Sequence, residues 1–88
     1  MPDLKGEHMD INKFLLLNDI AVTKNLTMTA ERMGYSQSGV SHAIRKIEEE
    51  TGIIFFTRTN HGVELTKIGN DLLPYIQMIS KYYNVFNE

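Results

Sequence analysis

The most informative segment of the chain reads Leu26-Thr-Met-Thr-Ala-Glu-Arg-Met-Gly-Tyr-Ser-Gln-Ser-Gly-Val-Ser-His-Ala-Ile-Arg-Lys-Ile47. Its pattern predicts two short helices joined by a tight turn. Thr27 and Ser36 are residue types that cap helix N-termini, so we place the two helix starts at these positions. Gly34 lies between the helices, where a sharp turn requires the positive φ that glycine adopts without strain.

The second of these helices has two chemically different faces. Apolar residues spaced by three and four positions form one face: Val40, Ala43, Ile44 and Ile47. The opposite face carries short polar and basic side chains: Ser38, Ser41, His42 and Arg45. A helix with a packed back and a polar front of donors is the element that the major groove of DNA admits. The sequence therefore predicts double-stranded DNA as the partner.

Length and composition exclude several classes of protein. The 88 residues fit one small domain with a limited core, which favours self-association as a source of stability. A hydrophobic fraction of 42% and a charged fraction of 23% are typical of globular domains rather than disordered or membrane chains. We find no apolar run near the roughly 20 residues of a membrane span and no secretory signal, and we expect a cytoplasmic protein. The absence of cysteine excludes disulfides and thiolate chemistry.

Residues 1–8 lack periodicity and precede a second methionine, so we interpret them as a tag or cloning remnant. Without them the formal charge changes from −2 to −1, because one basic and two acidic residues are removed. A near-neutral charge is unusual for a protein that binds DNA. It weighs against DNA as the partner unless the charges are unevenly distributed.

Cap residues and periodicity place the other helix boundaries. Asp10 can cap a first helix that runs to about Lys24, with Asn25 as its stop. The helix that begins at Ser36 ends at Gly52. The predicted core of the domain comprises Phe14, Leu17, Ile20, Met33, Val40, Ile44 and Ile47.

A β-hairpin follows the third helix. Residues 53–57 are β-branched and aromatic and predict one strand, and residues 63–65 predict the returning strand. Turn-forming residues occupy positions 59–62 between them.

A last helix begins at the cap residue Thr66. Its apolar residues are spaced close to a heptad seam, and Pro74 inside it predicts a bend or a local loosening. The domain is too small to bury the whole stripe internally, so we assign it to dimerisation: Leu72, Ile76, Ile79, Tyr83 and Phe86.

From Met9 onward the chain resembles the N-terminal DNA-binding domain of LysR-type transcriptional regulators. Three segments carry the resemblance: the helix–turn–helix as Leu26-Thr27, Ala30, Met33, Ser36-Gln37-Ser38, Val40-Ser41, Ile44, Ile47-Glu48 and Gly52; the wing as Phe55-Phe56-Thr57-Arg58 and Leu65-Thr66; and the linker helix as Gly69 and Leu72-Leu73-Pro74-Tyr75.

The resemblance implies a mainly α fold in two parts. Residues 9–65 form a winged helix–turn–helix of three helices and a short β-hairpin wing, and residues 66–88 form a long linker helix. Two subunits would pair through antiparallel linker helices, with the wing near the minor groove. A larger ligand-sensing domain normally follows, so a small-molecule effector and a tetramer are expected only of the full-length protein.

The candidate DNA-binding residues are Thr27, Ser36, Gln37, Ser38, Ser41, His42, Arg45, Lys46, Arg58 and His61. Arg45 is the foremost base reader, because its planar fork matches guanine O6 and N7. Gln37 could meet adenine or a phosphate, and the helix N-termini at Thr27 and Ser36 could hold phosphates. His42 is a groove contact or a bystander. Arg58 pairs with a phosphate or with an internal carboxylate, and we favour the phosphate.

Other functions have weaker support in the sequence. Glu48, Glu49 and Glu50 are more typical of a solvated or ion-paired surface than of acid–base catalysis. His42 and His61 lack a third metal ligand at suitable spacing, and we expect no metal, no cofactor and no enzymatic activity. The rival to DNA binding is a winged-helix module that docks a protein partner.

Overall fold

The computed structural model describes residues 9–87 and shows three helices, an antiparallel hairpin and a fourth helix. The elements are α1 (Ile11–Thr23), α2 (Leu26–Met33), α3 (Gln37–Thr51), β1 (Phe56–Thr59), β2 (Gly62–Leu65) and α4 (Lys67–Phe86). This order confirms the predicted mainly α winged helix–turn–helix with a long C-terminal helix. The predicted remnant, residues 1–8, lies outside the described residues. Within residues 9–87, no helix combines the length and the apolar character needed to cross a membrane.

Side-chain caps begin the helices at the predicted residues in three cases. Asp10, Ser36 and Thr66 accept hydrogen bonds from the backbone N–H three residues on. Each cap satisfies one of the amides that the first turn of a helix leaves without a partner. Gly34 and Gly52 end α2 and α3 with φ of 76° and 72°, as predicted for these turns.

The junction between α1 and α2 differs from the prediction. Asn25, not Thr27, caps α2, because its side chain accepts a hydrogen bond from Met28 N at 3.0 Å. The left-handed residue that ends α1 is Lys24, with φ of 54°. Ending α1 there leaves Asn25 in the extended conformation that an N-cap requires, and asparagine is a better cap than threonine.

The first strand also differs from the prediction. It begins at Phe56 rather than at Ile53, and it continues to Thr59, which pairs with Gly62 across a two-residue turn. Residues 53–55 lie outside the strand because their backbone groups bond to side chains of α3 and to Thr66, the cap of α4, instead of to β2. Val63 N donates to the carbonyl of Lys24 at 3.2 Å, which seats the wing against the turn between α1 and α2.

The core is built from all four helices and the hairpin. Its buried apolar residues are Leu16, Leu17, Ile20, Leu26, Ala30, Val40, Ile44, Ile47, Phe55, Phe56, Val63 and Ile76. Phe14 and Met33, which we predicted in the core, are partly buried and pack against its edge.

Helix α4 turns one face towards α1 and the core. Ile76 is only 4% exposed, so the structure corrects the predicted dimer surface at this position. Leu72 and Tyr83 are partly buried, and Leu72 packs against the core. The large apolar side chains that α4 leaves exposed are Ile68, Tyr75, Met78, Ile79, Tyr82, Val85 and Phe86.

Candidate nucleic-acid interface

The N-terminal half of α3 and strand β1 form an open concave surface. Its residues are Ser36, Gln37, Ser38, Gly39, Ser41, His42, Arg45 and Arg58. Except for Gly39, every one of these was a candidate DNA-binding residue in the sequence. The structure therefore collects seven of the ten predicted residues on one surface, which we call the α3–wing surface.

Packing on the opposite side of α3 directs these polar side chains outward. Val40, Ile44 and Ile47 are buried on the back of the helix, while Ser38, Arg45 and their neighbours face solvent. Burial of aliphatic side chains is the dominant stabilising term in such a domain, so α3 turns this apolar face inward. The cap at Ser36 fixes where the helix begins, with Ser36 Oγ accepting from Gly39 N at 3.0 Å.

Arg58 joins the wing to α3. Its Nη2 donates to Ser41 Oγ at 3.0 Å, a hydroxyl partner that neither of the sequence-based alternatives included. A guanidinium has five N–H donors, so this one bond leaves donors for a ligand. The exposed side chains of Arg58 and Arg45 also line a smaller cleft between α3 and the hairpin, which Glu48 lines as well.

Two of the three acidic residues of α3, Glu48 and Glu50, are engaged by other parts of the protein. Glu50 Oε1 lies 2.7 Å from Lys13 Nζ, an ion pair of the kind predicted for this acidic cluster. Glu48 Oε2 accepts hydrogen bonds from the backbone N–H groups of Phe55 at 2.7 Å and Phe56 at 3.2 Å. The sequence offered no signal for this role, because the amides come from a loop whose path depends on tertiary packing.

The near-neutral net charge weighed against DNA binding only if the charges were evenly distributed, and the structure shows that they are not. Asp19 accepts from Arg32 Nε at 2.9 Å on the α1–α2 side of the molecule, so this carboxylate is also engaged. The α3–wing surface itself presents two arginines and no carboxylate. A near-neutral chain can therefore carry a locally positive face.

Three predicted residues lie outside the α3–wing surface. Thr27 is exposed in the first turn of α2, and His61 is exposed in the turn of the wing. Lys46 lies beside the surface, next to His42, Arg45 and Glu49. In the described part of the chain, no three His, Cys, Asp or Glu side chains are placed to share a metal ion.

A family model described as "Bacterial regulatory helix-turn-helix protein, lysR family" matches residues 11–70. The chain belongs to this family. It is 34% identical over 71 residues to the HTH-type transcriptional regulator HdfR of Shigella boydii, covering 81% of this chain and 25% of that protein. It is 37% identical over 68 residues to the regulator IlvR of Caulobacter vibrioides, covering 77% and 23%. The chain thus spans about a quarter of the length of these curated relatives.

Solved structures of LysR-family proteins share the fold. Full-length OxyR C199D from Pseudomonas aeruginosa superimposes with a TM-score of 0.81 at 25% identity, covering 91% of this chain and 27% of that one. The CbnR_DBD–DNA complex superimposes with a TM-score of 0.79 at 22% identity, covering 90% and 91%. The second match covers most of both chains, so the two share the helices, the hairpin and the C-terminal helix of the fold.

Proposed function

We propose that this chain is the DNA-binding domain of a bacterial LysR-type transcriptional regulator and that it binds a specific duplex operator as a homodimer. The observation that carries the proposal is the α3–wing surface, on which donors and two arginines gather without a carboxylate. The relatives named as transcriptional regulators and the CbnR domain crystallised on DNA support it. In this proposal the chain binds operator DNA at the nucleoid in the cytoplasm and catalyses no reaction.

In this proposal α3 is the recognition helix and enters the major groove. Arg45 reads a guanine through its two parallel donors, and Gln37 and Ser38 approach base edges or phosphates from the first turn. The amides at the N-terminus of α3 hold a backbone phosphate near Ser36. Lys46 meets the phosphates beside the groove.

The wing approaches the neighbouring minor groove. Arg58 lies between α3 and the wing turn, so its free donors can reach the phosphates that separate the two grooves. His61 in the turn is the residue placed to meet the minor groove itself.

The second subunit would pack on the exposed apolar side of α4. This side, which we call the α4 outer face, comprises Tyr75, Met78, Ile79, Tyr82 and Phe86. At 100° per residue its centre lies about 100° around the helix from Ile76. A single copy of the described chain leaves this apolar face in water, and pairing with a second copy would cover both faces.

Duplex binding is tested by its dependence on salt. Duplexes would be selected from a random-sequence pool with the 88-residue chain, and the affinity for them measured by fluorescence anisotropy over a range of KCl concentrations. With about three cations per subunit at phosphates, the slope of log K against log salt should be about −5 for a dimer. Failure to enrich any duplex, or a slope near zero, would contradict the proposal and favour a protein-docking module.

A further inference from the structure

The backbone of Phe55 connects three elements that the proposed function requires. Its N–H donates to Glu48 of α3 at 2.7 Å, and its carbonyl accepts from Thr66 N at 2.9 Å, where α4 is capped. Phe55 itself is 4% exposed, and Phe56, which follows it, begins strand β1. One buried residue is therefore bonded to the recognition helix on one side and to the start of α4 on the other.

The first turn of α4 is fitted closely to this residue. Thr66 Oγ1 donates to the carbonyl of Ile54 at 2.6 Å and accepts from Gly69 N at 3.0 Å. A Cβ added to Gly69 would lie 2.5 Å from the carbonyl oxygen of Phe55. The absence of a side chain at Gly69 thus lets the helix lie directly against the Phe55 peptide group.

The hydrogen bonds to Glu48 constrain the orientation of α3 in a way that the apolar core does not. Hydrophobic burial depends on area and is non-directional, so it permits small rotations of one helix against another. A carboxylate oxygen that accepts two successive amides at 2.7 and 3.2 Å restricts both angle and distance. Losing it would leave two amides of buried residues without a partner.

We propose that Glu48 and Thr66 are positioning residues that fix the angle between α3 and α4 through the two peptide groups that flank Phe55, and so set the spacing of the two recognition helices in the dimer. The inference rests on the proposed function for its consequence, though the junction exists in a single subunit. Because α4 would carry the dimer contact, a rotation of α3 at this junction would move its N-terminus relative to the partner's recognition helix.

Changing the number of base pairs between two half-sites makes the link between the α3–α4 angle and the spacing of the recognition helices measurable. One base pair added between two half-sites moves one of them by about 3.4 Å and turns it by roughly 35°. A dimer with a rigid α3–α4 angle cannot follow such a change, whereas a dimer with a loosened junction can.

The junction itself is tested by backbone amide hydrogen exchange in the 88-residue chain. Glu48→Ala should speed exchange about tenfold at Phe55 and Phe56 and also at Gly69 in α4, because Glu48 and Thr66 bond to the same two successive peptide groups, Ile54–Phe55 and Phe55–Phe56. Glu48→Gln keeps an acceptor oxygen and should give a smaller change at the same amides, so the test survives if the alanine variant folds poorly. The matched control Glu49→Ala removes a neighbouring exposed carboxylate and should leave these rates unchanged. Faster exchange at Phe55 and Phe56 with an unchanged rate at Gly69 would overturn the coupling.

The consequence is tested on duplexes selected by the wild-type chain, with base pairs inserted or deleted between the half-sites. Wild type should prefer the selected spacing, and Glu48→Ala should reduce that preference about tenfold. Thr66→Val, which removes the hydroxyl, should also reduce the spacing preference. Thr66→Ser, which keeps the hydroxyl, should retain the wild-type preference. A purely structural role would weaken binding to every duplex by one factor and leave the preference unchanged, which would overturn the proposal. If wild type binds no duplex, the proposed function fails while the exchange experiment still decides the junction.

Discussion

Arg45 and Lys46 are neighbours in the chain, yet α3 places them differently. Arg45 lines the α3–wing surface together with Ser41 and Arg58, whereas Lys46 lies beside it next to Glu49. A planar fork inside the groove distinguishes one base from another, while an ammonium at the groove edge meets a phosphate that every sequence has. The two cations are therefore expected to make separable contributions.

Replacing Arg45 tests this separation. Arg45→Ala should cost about 1–3 kcal/mol of discrimination at one base pair, because the proposed bidentate contact to guanine would be lost. Lys46→Ala should weaken binding to all duplexes about equally and make the salt slope less steep by about 1. Arg45→Lys is the matched control, since it keeps the charge without the fork and should still lose discrimination. Competition binding with single-base-pair variants of a selected duplex measures both effects. Full preference retained in Arg45→Ala would assign base reading to another residue.

Among the structural elements, the turn between α1 and α2 carries the clearest backbone strain. Lys24 has φ of 54°, the only positive value among the described residues other than glycine. The wing requires this geometry, because Val63 N donates to the Lys24 carbonyl and Gly62 passes directly beside it. The left-handed conformation costs a residue with a Cβ about 1–2 kcal/mol.

Lys24→Gly should therefore stabilise the domain. Relief of the left-handed strain exceeds the extra chain entropy of glycine by about 0.5–1 kcal/mol, which corresponds to a rise in Tm of roughly 3–6 °C. Lys24→Ala removes the same side chain but keeps the Cβ, so its Tm should stay at or below that of wild type. Thermal unfolding followed by circular dichroism compares the three proteins. Equal Tm values for the glycine and alanine variants would show that the turn is not strained.

Element boundaries were predictable where one residue type at a fixed spacing controls them. Asp10, Ser36 and Thr66 each cap a helix through an amide three residues on, which is a local interaction visible in the sequence. The start of β1 was not predictable, because Glu48 and Thr66 take the backbone groups of Phe55 from outside the hairpin. Most of the candidate DNA-binding residues were found together because helical periodicity alone places them on one side of α3.

At the scale of the whole molecule, α4 has three sides with different surroundings. Ile76 and its neighbours pack on α1 and the core, and one flank is polar, with Asn70, Gln77 and Lys81 exposed. The remaining side is the α4 outer face. A periodic apolar stripe in the sequence cannot distinguish the core side from this outer side, because both recur every three or four residues. The predicted dimer stripe consequently mixed Ile76 with residues such as Ile79 and Phe86.

The outer face predicts how the proposed dimer can be broken without unfolding the subunit. Tyr82 is 57% exposed, so Tyr82→Asp places a carboxylate in water in the monomer but buries it in a dimer, at a cost of several kcal/mol. The variant should sediment as a monomer at micromolar concentration and lose most of its operator affinity, while its helical circular dichroism stays as in wild type. Val22→Asp is the matched control, because Val22 is 67% exposed and belongs to α1 rather than to the α4 outer face. A wild-type chain that is already monomeric, or a Tyr82→Asp variant that stays dimeric, would place the interface elsewhere, and the recognition helices would then be spaced by some other contact.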